Sequence, residues 1–248
     1  MPPDTNRLSA LIGRFAGRRI LVLGDLVTDQ FIYGEMKRVW GDVARTSREV
    51  AFGLVLRERE VRRLPGGGAN AVNNLVALGA RPLPLGFVGN DEAGRHLRRH
   101  FQRLGVDVRG IHVLPGHTTT IKTRILTGSP QSTPQQVLRL DREESKASPA
   151  GPLRRLVAQA QGLLTGVDAV LVSDYGYGAA TPAVLARVLG RRRLRVPVVA
   201  DSRYRLRAYR RLTAATPSVP ELEEAFHCQI GADGRLLRQL GERLRDEV

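Results

Sequence analysis

Short apolar segments alternate with amphipathic ones along most of this chain, and few folds are compatible with that pattern. The apolar segments are typical of strands buried on both faces, and they lie at residues 19–24, 83–88, 168–173 and 196–200. Helical patterns separate or follow them, at residues 71–79, 91–104, 152–165, 181–190, 220–226 and 233–245. This alternation predicts one α/β domain, residues 1–248, with a mainly parallel sheet flanked by helices.

Two stretches depart from the alternation. Residues 31–34 are predicted to form a brief extended piece, and residues 50–64 exposed antiparallel strands, because the latter alternate loosely and carry many charges in their second half. Residues 31–64 together depart from the main sheet. Residues 118–126 and 135–140 are predicted to pair around a polar turn. We therefore expect a group of β-strands that is not part of the main sheet.

The charge balance and the single cysteine restrict the classes of protein to consider. Lysine and arginine exceed aspartate and glutamate by 39 to 24, for a net charge of +15. Almost all the cations are arginines spread along the chain without interleaved aromatics, so we expect no nucleic-acid partner. The hypothesis that the protein binds a polyanion rests on charge alone. A phosphorylated small substrate fits this charge equally well. Cys228 stands alone, which excludes a disulfide framework and a cysteine-cluster zinc site.

We also expect a cytoplasmic protein without a membrane span. The longest apolar runs are far shorter than a bilayer requires, and the first residues lack a basic segment followed by an apolar one. Other catalytic signatures are missing from the sequence. No Gly-x-Ser-x-Gly elbow occurs, and His96 and His100 have helical spacing but no carboxylate ligand to match.

Three predicted strands each deliver an aspartate at the carboxyl end: Asp25, Asp174 and Asp201. A single such aspartate is more often a turn former or a helix cap than a ligand. Because the carboxyl ends of parallel strands share one edge of a sheet, three together indicate a site. Such a site accepts hydrogen bonds from sugar hydroxyls or holds hydrated magnesium.

A glycine-rich turn, Gly66-Gly67-Gly68, opens the first predicted helix after the exposed strands. It gives a ligand close access to the backbone and to helix N–H groups, although a plain tight turn explains it as well. The turn is neither a dinucleotide fingerprint nor a P-loop, because the Gly-x-Gly-x-x-Gly and Gly-Lys-Ser/Thr patterns are missing.

In order along the chain, these pieces resemble the ribokinase-like (PfkB) carbohydrate kinases, most of all the heptose-7-phosphate kinase domain of ADP-heptose synthases. The matching segments are GDLVTDQFIYG (24–34), LPGGGANAVNNLVALGA (64–80), GNDEAGR (89–95), TTTIKTRIL (118–126), QQVLRLDREE (135–144), VLVSDYGYG (170–178) and VVADSRYRLRAYRRLTAATPSVPELE (198–223). The resemblance implies an α/β sandwich with a small β-sheet lid, around residues 31–64 and 118–140, that closes over the sugar and makes a homodimer contact.

The resemblance also implies the chemistry. ATP, assisted by Mg²⁺, would donate its γ-phosphoryl group to a hydroxyl of a sugar or of a sugar phosphate such as heptose 7-phosphate. Together with Asp25 at the sheet edge, the residues expected to contact this substrate are Asp29, Gly66, Gly67, Asn70, Arg139 (at a substrate phosphate), Asp174 and Asp201. Glu221 is the residue expected to serve magnesium.

The sequence departs from the family pattern at several positions. Ser218 replaces the asparagine of the Asn-x-x-Glu motif that ends at Glu221, Tyr177 stands where the branch has lysine, and Asp201-Ser202-Arg203 stands where it has Asp-Pro-Lys. Residues 39–53 do not match the branch's proline-rich stretch.

The Gly-Ala-Gly-Asp motif, whose aspartate is the family's catalytic base and whose amides form its anion hole, does not occur in this sequence. We therefore assign no catalytic residue and expect the nucleotide-binding half to lie outside these residues. We expect the chain alone to be inactive. A catalytically inactive protein that binds a sugar phosphate is the alternative to a kinase.

Overall fold

The computed structural model describes residues 5–37, 55–128, 133–143, 150–190 and 196–248. The unmatched stretch at residues 39–53 lies outside these described residues. Within them, no helix is both long enough and apolar enough to cross a lipid bilayer.

A six-stranded sheet forms the centre of the fold, and every neighbouring pair in it runs parallel. In spatial order its strands are β10 (Ala214–Ala215), β9 (Val198–Ser202), β8 (Ala169–Asp174), β1 (Arg19–Gly24), β4 (Arg81–Gly89) and β5 (Ile111–Leu114). Five of the six residues of β1 are buried, as the continuous apolar run predicts for a strand covered on both faces. The predicted fold class is confirmed.

Helices cover both faces of this sheet. On one face lie α2 (Gly68–Ala77) and α3 (Glu92–Arg103), and on the other lie α4 (Ala150–Leu163) and α5 (Pro182–Leu189). The further α-helices of the described residues are α1 (Thr5–Gly13), α6 (Val219–Phe226) and α7 (Gly234–Glu247). Alternate residues of β1 enter two cores: Leu21 packs with the residues of α4 and α5, and Val22 packs with those of α2 and α3. Full burial of one such aliphatic side chain stabilises a fold by about 1.5–3 kcal/mol, so the two cores fix the strand order.

A second, four-stranded sheet stands apart from the first. Its strands lie in the order β3 (Val55–Gly67), β2 (Leu26–Lys37), β6 (Thr120–Thr127) and β7 (Gln135–Arg142). The outer pairs are antiparallel and the central pair, β2 with β6, is parallel. The predicted strands outside the main sheet are therefore present, but β2 and β3 extend beyond residues 31–64, from Leu26 to Gly67. We call this unit the small sheet.

Helix boundaries follow the expected local signals. Asp91 caps α3 by accepting a hydrogen bond from the Gly94 amide at 2.8 Å, and Thr181 caps α5 in the same way. Gly105, which follows α3, has φ of +73°, a conformation that glycine adopts without strain. Near the carboxyl terminus, α6 and α7 enclose a separate small core around Leu222 and Leu244.

Candidate functional site

The carboxyl ends of β1, β8 and β9 lie side by side at one edge of the main sheet. Gly24 is in register with Ser173, and Ser173 is in register with Asp201. The pairing brings Asp25, Asp174 and Asp201 to the same edge, as the sequence predicts, although Asp201 lies inside β9 rather than after it. The small sheet begins at this edge, because only Asp25 separates β1 from β2.

The buried Asp25 carboxylate is committed to a neighbouring loop. Its two oxygens accept hydrogen bonds from the backbone N–H groups of Tyr175 at 2.8 Å, Tyr177 at 2.9 Å and Ala179 at 2.9 Å. Burial raises the pKa of Asp25, and the charge of Asp174 adds to this effect, whereas the three amides oppose it. The geometry gives Asp25 the task of holding the loop after β8, and direct contact of Asp25 with substrate stays a prediction.

Asp174 is also buried, and protein groups surround its carboxylate. It forms an ion pair with Arg205 and accepts hydrogen bonds at 2.8 Å from the hydroxyls of Ser202 and Tyr209. The Gly176 amide donates to it as well, at 3.0 Å. A buried charge is tolerated when it is paired and fully hydrogen-bonded, so this network ties together the loops that follow β8 and β9. A direct substrate contact of Asp174 likewise stays a prediction.

Asp29 differs from these two residues because its side chain is partly exposed. It lies on β2 and pairs with Arg124 of β6 at 2.6 Å. Across the sheet, a Cβ at Gly66 would stand 2.5 Å from a carboxylate oxygen of Asp29. At Gly67 φ is +53°, and a Cβ would lie 2.9 Å from the Asp25 carbonyl. The two glycines therefore let the backbone of β3 approach both aspartates, which explains the Gly-Gly pair.

Asn70 lies exposed in the first turn of α2, which begins at Gly68. The helix start sits directly on the sheet edge, since the Gly68 amide donates to the Asp25 carbonyl at 2.9 Å. The N-terminus of α2 and the Asn70 amide thus belong to the same edge as Asp29.

Tyr175 lies within the electrostatic reach of three carboxylates. Burial raises its pKa first, and the charges of Asp201, Glu221 and Asp29 raise it further. The pKa of Asp201 is likewise raised by burial, then by Glu221 and by Asp174. Asp201 and Glu221 therefore form an acidic pair at this edge, in which the charge of Glu221 helps to raise the pKa of Asp201.

The Ser218 substitution has a local structural explanation. Ser218 caps α6, and its amide donates to the Glu221 carboxylate at 2.8 Å while the Glu221 amide faces the Ser218 hydroxyl at 3.4 Å. This capping box occupies one oxygen of Glu221 and leaves the other available. Within the described part of the chain, no group of three or more histidine, cysteine or acidic residues is arranged as a metal site.

A cavity of about 530 Å³ opens between the small sheet and the loops after β8 and β9. Its lining contains four cations, three tyrosines and two carboxylates: Lys122, Arg139, Arg203, Arg205, Tyr175, Tyr177, Tyr204, Asp141 and Glu143, together with Gly176. Arg139 is present as predicted, but its guanidinium already pairs with Asp141 at 2.6 Å. The Tyr177 hydroxyl, where the family branch has lysine, donates to Glu143 and links the small sheet to the loop after β8.

Sequence reasoning missed Lys122 and Tyr175. Both lie inside motifs already matched, Lys122 in TTTIKTRIL and Tyr175 in VLVSDYGYG. A signal for Lys122 was available, because the chain has only three lysines among its 39 basic residues and this one interrupts an otherwise uncharged run, TTTIKT.

Comparison with known proteins agrees with this geometry. The "Bifunctional protein HldE" of Trichlorobacter lovleyi is 35% identical over 247 residues, 99% of this chain and 48% of that protein. Its counterpart in Geobacter sulfurreducens is 37% identical over 243 residues, 97% of this chain and 47% of that protein. The chain thus spans about half the length of the curated relatives it matches.

The fold has solved neighbours as well. The tetrameric inhibited form of phosphofructokinase-2 from Escherichia coli superposes with a TM-score of 0.65 over 93% of this chain and 70% of that one, at 13% identity. The sequence profile of the pfkB family carbohydrate kinases matches residues 28–242, which include every candidate site residue except Asp25. The chain therefore belongs to the pfkB family of carbohydrate kinases.

Proposed function

We propose that this protein is the sugar-binding part of an ATP-dependent kinase that phosphorylates a sugar phosphate of the heptose 7-phosphate type. The observation that carries the proposal is the meeting of Asp29, the Gly66-Gly67 turn and the Asp201–Glu221 pair at one sheet edge, beside a cavity rich in cations. Membership of the pfkB family supports phosphoryl transfer from ATP, and the matches to bifunctional HldE proteins support the heptose branch.

Asp29 is the residue best placed to bind sugar hydroxyls. Its carboxylate is partly exposed, and Arg124 orients it through an ion pair that leaves lone pairs free. Gly66 brings backbone to the same point, and Asn70 offers both a donor and an acceptor at the start of α2. A carboxylate flanked by amide groups recognises adjacent hydroxyls, since each hydroxyl both donates and accepts.

The acidic pair fits the magnesium ion that the family uses. Magnesium is held through one or two carboxylates plus substrate phosphates, and Asp201 with Glu221 provides that kind of donor set. Bound there, the ion would neutralise charge on the phosphates during transfer. Asp25 and Asp174 act differently in this proposal, because they hold the loop of residues 175–179, whose Tyr175 is within electrostatic reach of the acidic pair and of Asp29.

A non-catalytic sugar-phosphate-binding protein is the second candidate. Two observations favour it: Glu221 has one oxygen engaged in the Ser218 capping box, and this sequence contains no Gly-Ala-Gly-Asp base. We assign no residue of this chain to the nucleotide or to proton abstraction.

Binding and turnover measured on the full chain separate the two candidates. Calorimetry with heptose 7-phosphate should show binding, and Asp29→Asn should weaken it roughly 10- to 150-fold, as expected for hydrogen bonds to a charged group. The matched control Asp246→Asn removes an exposed carboxylate from α7 and should leave binding unchanged. ADP release with ATP and Mg²⁺ identifies a kinase. Because the chain alone is expected to be inactive, this assay also supplies the nucleotide-binding half of a relative's kinase domain as a second chain, and binding without ADP release under that condition identifies the non-catalytic protein. Binding that ignores Asp29→Asn contradicts the site itself.

A homodimer through the small sheet is part of the proposal. Leu138 and Leu140 lie two residues apart on β7 and are 55% and 62% exposed. Residues two apart share one face of a strand, so both leucines lie on the face opposite Arg139 and the cavity. Exposed apolar side chains on an edge strand favour pairing with a second copy of the chain.

A further inference from the structure

Lys122 on β6 is a largely buried cation. Its residue is only 7% exposed, and within the described residues its ammonium makes neither an ion pair nor a hydrogen bond. Burial, followed by the charges of Arg139 and Arg203, lowers the pKa of Lys122 below its usual value, whereas the charges of Asp141 and Glu143 oppose this effect. A partly desolvated ammonium without an ion pair is costly, and proteins seldom retain one without a use for it.

The strand register shows why the partner is missing. Lys122 of β6 lies directly beside Asp29 of β2 on one side and Asp141 of β7 on the other. Both neighbouring carboxylates are taken by arginines, Asp29 by Arg124 and Asp141 by Arg139, each at 2.6 Å. The small sheet therefore satisfies its two aspartates and leaves the lysine between them unpaired.

Two tyrosine rings position the ammonium. Its nitrogen lies 5.6 Å from the ring centroid of Tyr175 and 5.7 Å from that of Tyr177. Such cation–π contacts offset part of the desolvation cost while leaving the N–H groups free to donate. Because both tyrosines belong to the loop that Asp25 holds, the position of the ammonium depends on that loop.

The cavity that Lys122 lines carries an excess of positive charge. Of its four cations, Arg139 is paired with Asp141 and Arg205 with Asp174. Within the described residues Arg203 makes no ion pair and lies over the Tyr204 ring at 5.5 Å. The lining carboxylate Glu143 accepts a hydrogen bond from Tyr177 rather than from a cation. Two unpaired cations, one ammonium and one guanidinium, and one carboxylate therefore face a space of about 530 Å³, which leaves an excess of positive charge.

We propose that Lys122 and Arg203 bind the phosphate of a phosphorylated sugar, and that Lys122 makes the site select phosphomonoesters over neutral sugars. This inference rests on the proposed function. It assigns the phosphate to the unpaired Lys122 and Arg203 instead of Arg139, because Arg139 is already paired with Asp141 on its own strand. A dianion supplies the charge that the cavity lacks, and charge-assisted hydrogen bonds to it are the strong kind. Lys122 is adjacent to Asp29 in the register, so one ligand can offer its hydroxyls to Asp29 and its phosphate to Lys122.

The test compares ligands on the full chain and on Lys122→Met, which keeps most of the length of the side chain and removes its charge. We expect the affinity for heptose 7-phosphate, measured by calorimetry, to fall roughly 10- to 150-fold. The affinity for the unphosphorylated heptose should change less than about twofold, because a neutral sugar does not use the ammonium. Lys122→Arg should restore part of the phosphate affinity. The control Arg81→Met removes an exposed cation at the opposite edge of the sheet and should change neither affinity.

Equal losses for both sugars, or no loss for either, would overturn the assignment. ATP is the competing source of phosphate: if Lys122→Met weakens ATP binding and leaves the sugar phosphate unaffected, the occupant is the nucleotide and the proposal is wrong. Inorganic phosphate separates this inference from the proposed function. It should raise the melting temperature of the wild-type chain and not that of Lys122→Met, whatever sugar the protein takes. Absence of that difference contradicts the anion site even if a sugar binds.

Discussion

Replacing Asp25 by asparagine tests the claim that this carboxylate holds the loop on which the site depends. One oxygen of Asp25 accepts from the amides of Tyr175 and Tyr177, and the other accepts from Ala179. Asparagine keeps the shape but has a single acceptor oxygen. That oxygen keeps the amides of Tyr175 and Tyr177 when the new NH₂ group faces Ala179, so one hydrogen bond is lost and the other two lose their charge assistance.

The size of the effect follows from those contacts. Hydrogen bonds to a charged group contribute about 1.5–3 kcal/mol each and neutral ones about 0.5–1.5 kcal/mol, so losing one and weakening two costs about 3.5–6 kcal/mol. Removing a buried charge beside Asp174 offsets part of that cost, because burial and Asp174 both raise the pKa of Asp25. We therefore expect a net loss of about 3 kcal/mol in the free energy of unfolding, a large part of the stability of a typical domain.

Urea unfolding followed by circular dichroism measures the stability, and hydrogen exchange at residues 175–179 reports the loop. We expect faster exchange in that loop even under conditions where the variant stays folded. The matched control is Asp107→Asn, which removes an exposed carboxylate whose partner, Arg109, lies two residues away. A decrease of less than about 1 kcal/mol in the free energy of unfolding, with unchanged exchange of the loop amides, would refute the reasoning. It would mean that the three hydrogen bonds contribute little to stability.

Three further predictions concern the edge of the site and the small sheet. Gly66→Ala places a Cβ 2.5 Å from the Asp29 carboxylate, so we expect the free energy of unfolding in urea to fall by about 1–3 kcal/mol and sugar-phosphate binding to weaken. The control Gly241→Ala lies in open space on α7 and should raise the stability of the chain slightly. Asp201→Asn should stabilise the ligand-free chain at neutral pH by up to about 1 kcal/mol and abolish magnesium dependence of ligand binding. The raised pKa of Asp201 means that the folded state binds more protons than the unfolded state just above pH 3.8, so wild-type stability should fall as pH rises through that window, and less so in the variant. Leu140→Ser should shift the sedimentation coefficient from dimer to monomer without lowering the melting temperature of the monomer, and an unchanged coefficient would contradict the dimer surface.

Much of the fold was predictable because its signals are local. The strands of the main sheet are buried on both faces and therefore appear as unbroken apolar runs, and Asp91 and Gly105 mark the two ends of α3. The elements that the sequence analysis missed lack such signals. β10 is only two alanines long, β5 has four residues, and α1 keeps Leu8 and Leu11 exposed rather than packed in a core.

The position of the site was predictable from the sequence, but the roles of its individual residues were not. Strand ends bring Asp25, Asp174 and Asp201 together because parallel strands share an edge, and that is a property of the pattern. The hydrogen-bond partners of each carboxylate depend on the tertiary structure. The amides that donate to Asp25, for example, lie about 150 residues further along the chain. The unpaired state of Lys122 depends on the strand pairing that sets Arg124 against Asp29 and on the pairing of Arg139 with Asp141 along β7, which the sequence alone does not specify.

The way the small sheet is attached has a mechanical consequence. β1 passes into β2 with only Asp25 between them, and β3 passes into α2 with no residue between Gly67 and Gly68. These two junctions face each other, since Leu26 is in register with Gly67 and the Gly68 amide donates to the Asp25 carbonyl. At this end no flexible linker joins the small sheet to the main sheet. A rotation of the small sheet would therefore hinge at Asp25, the residue that also holds the loop containing Tyr175 and Tyr177. A ligand that moved the small sheet would therefore also displace the loop of residues 175–179, which Asp25 holds.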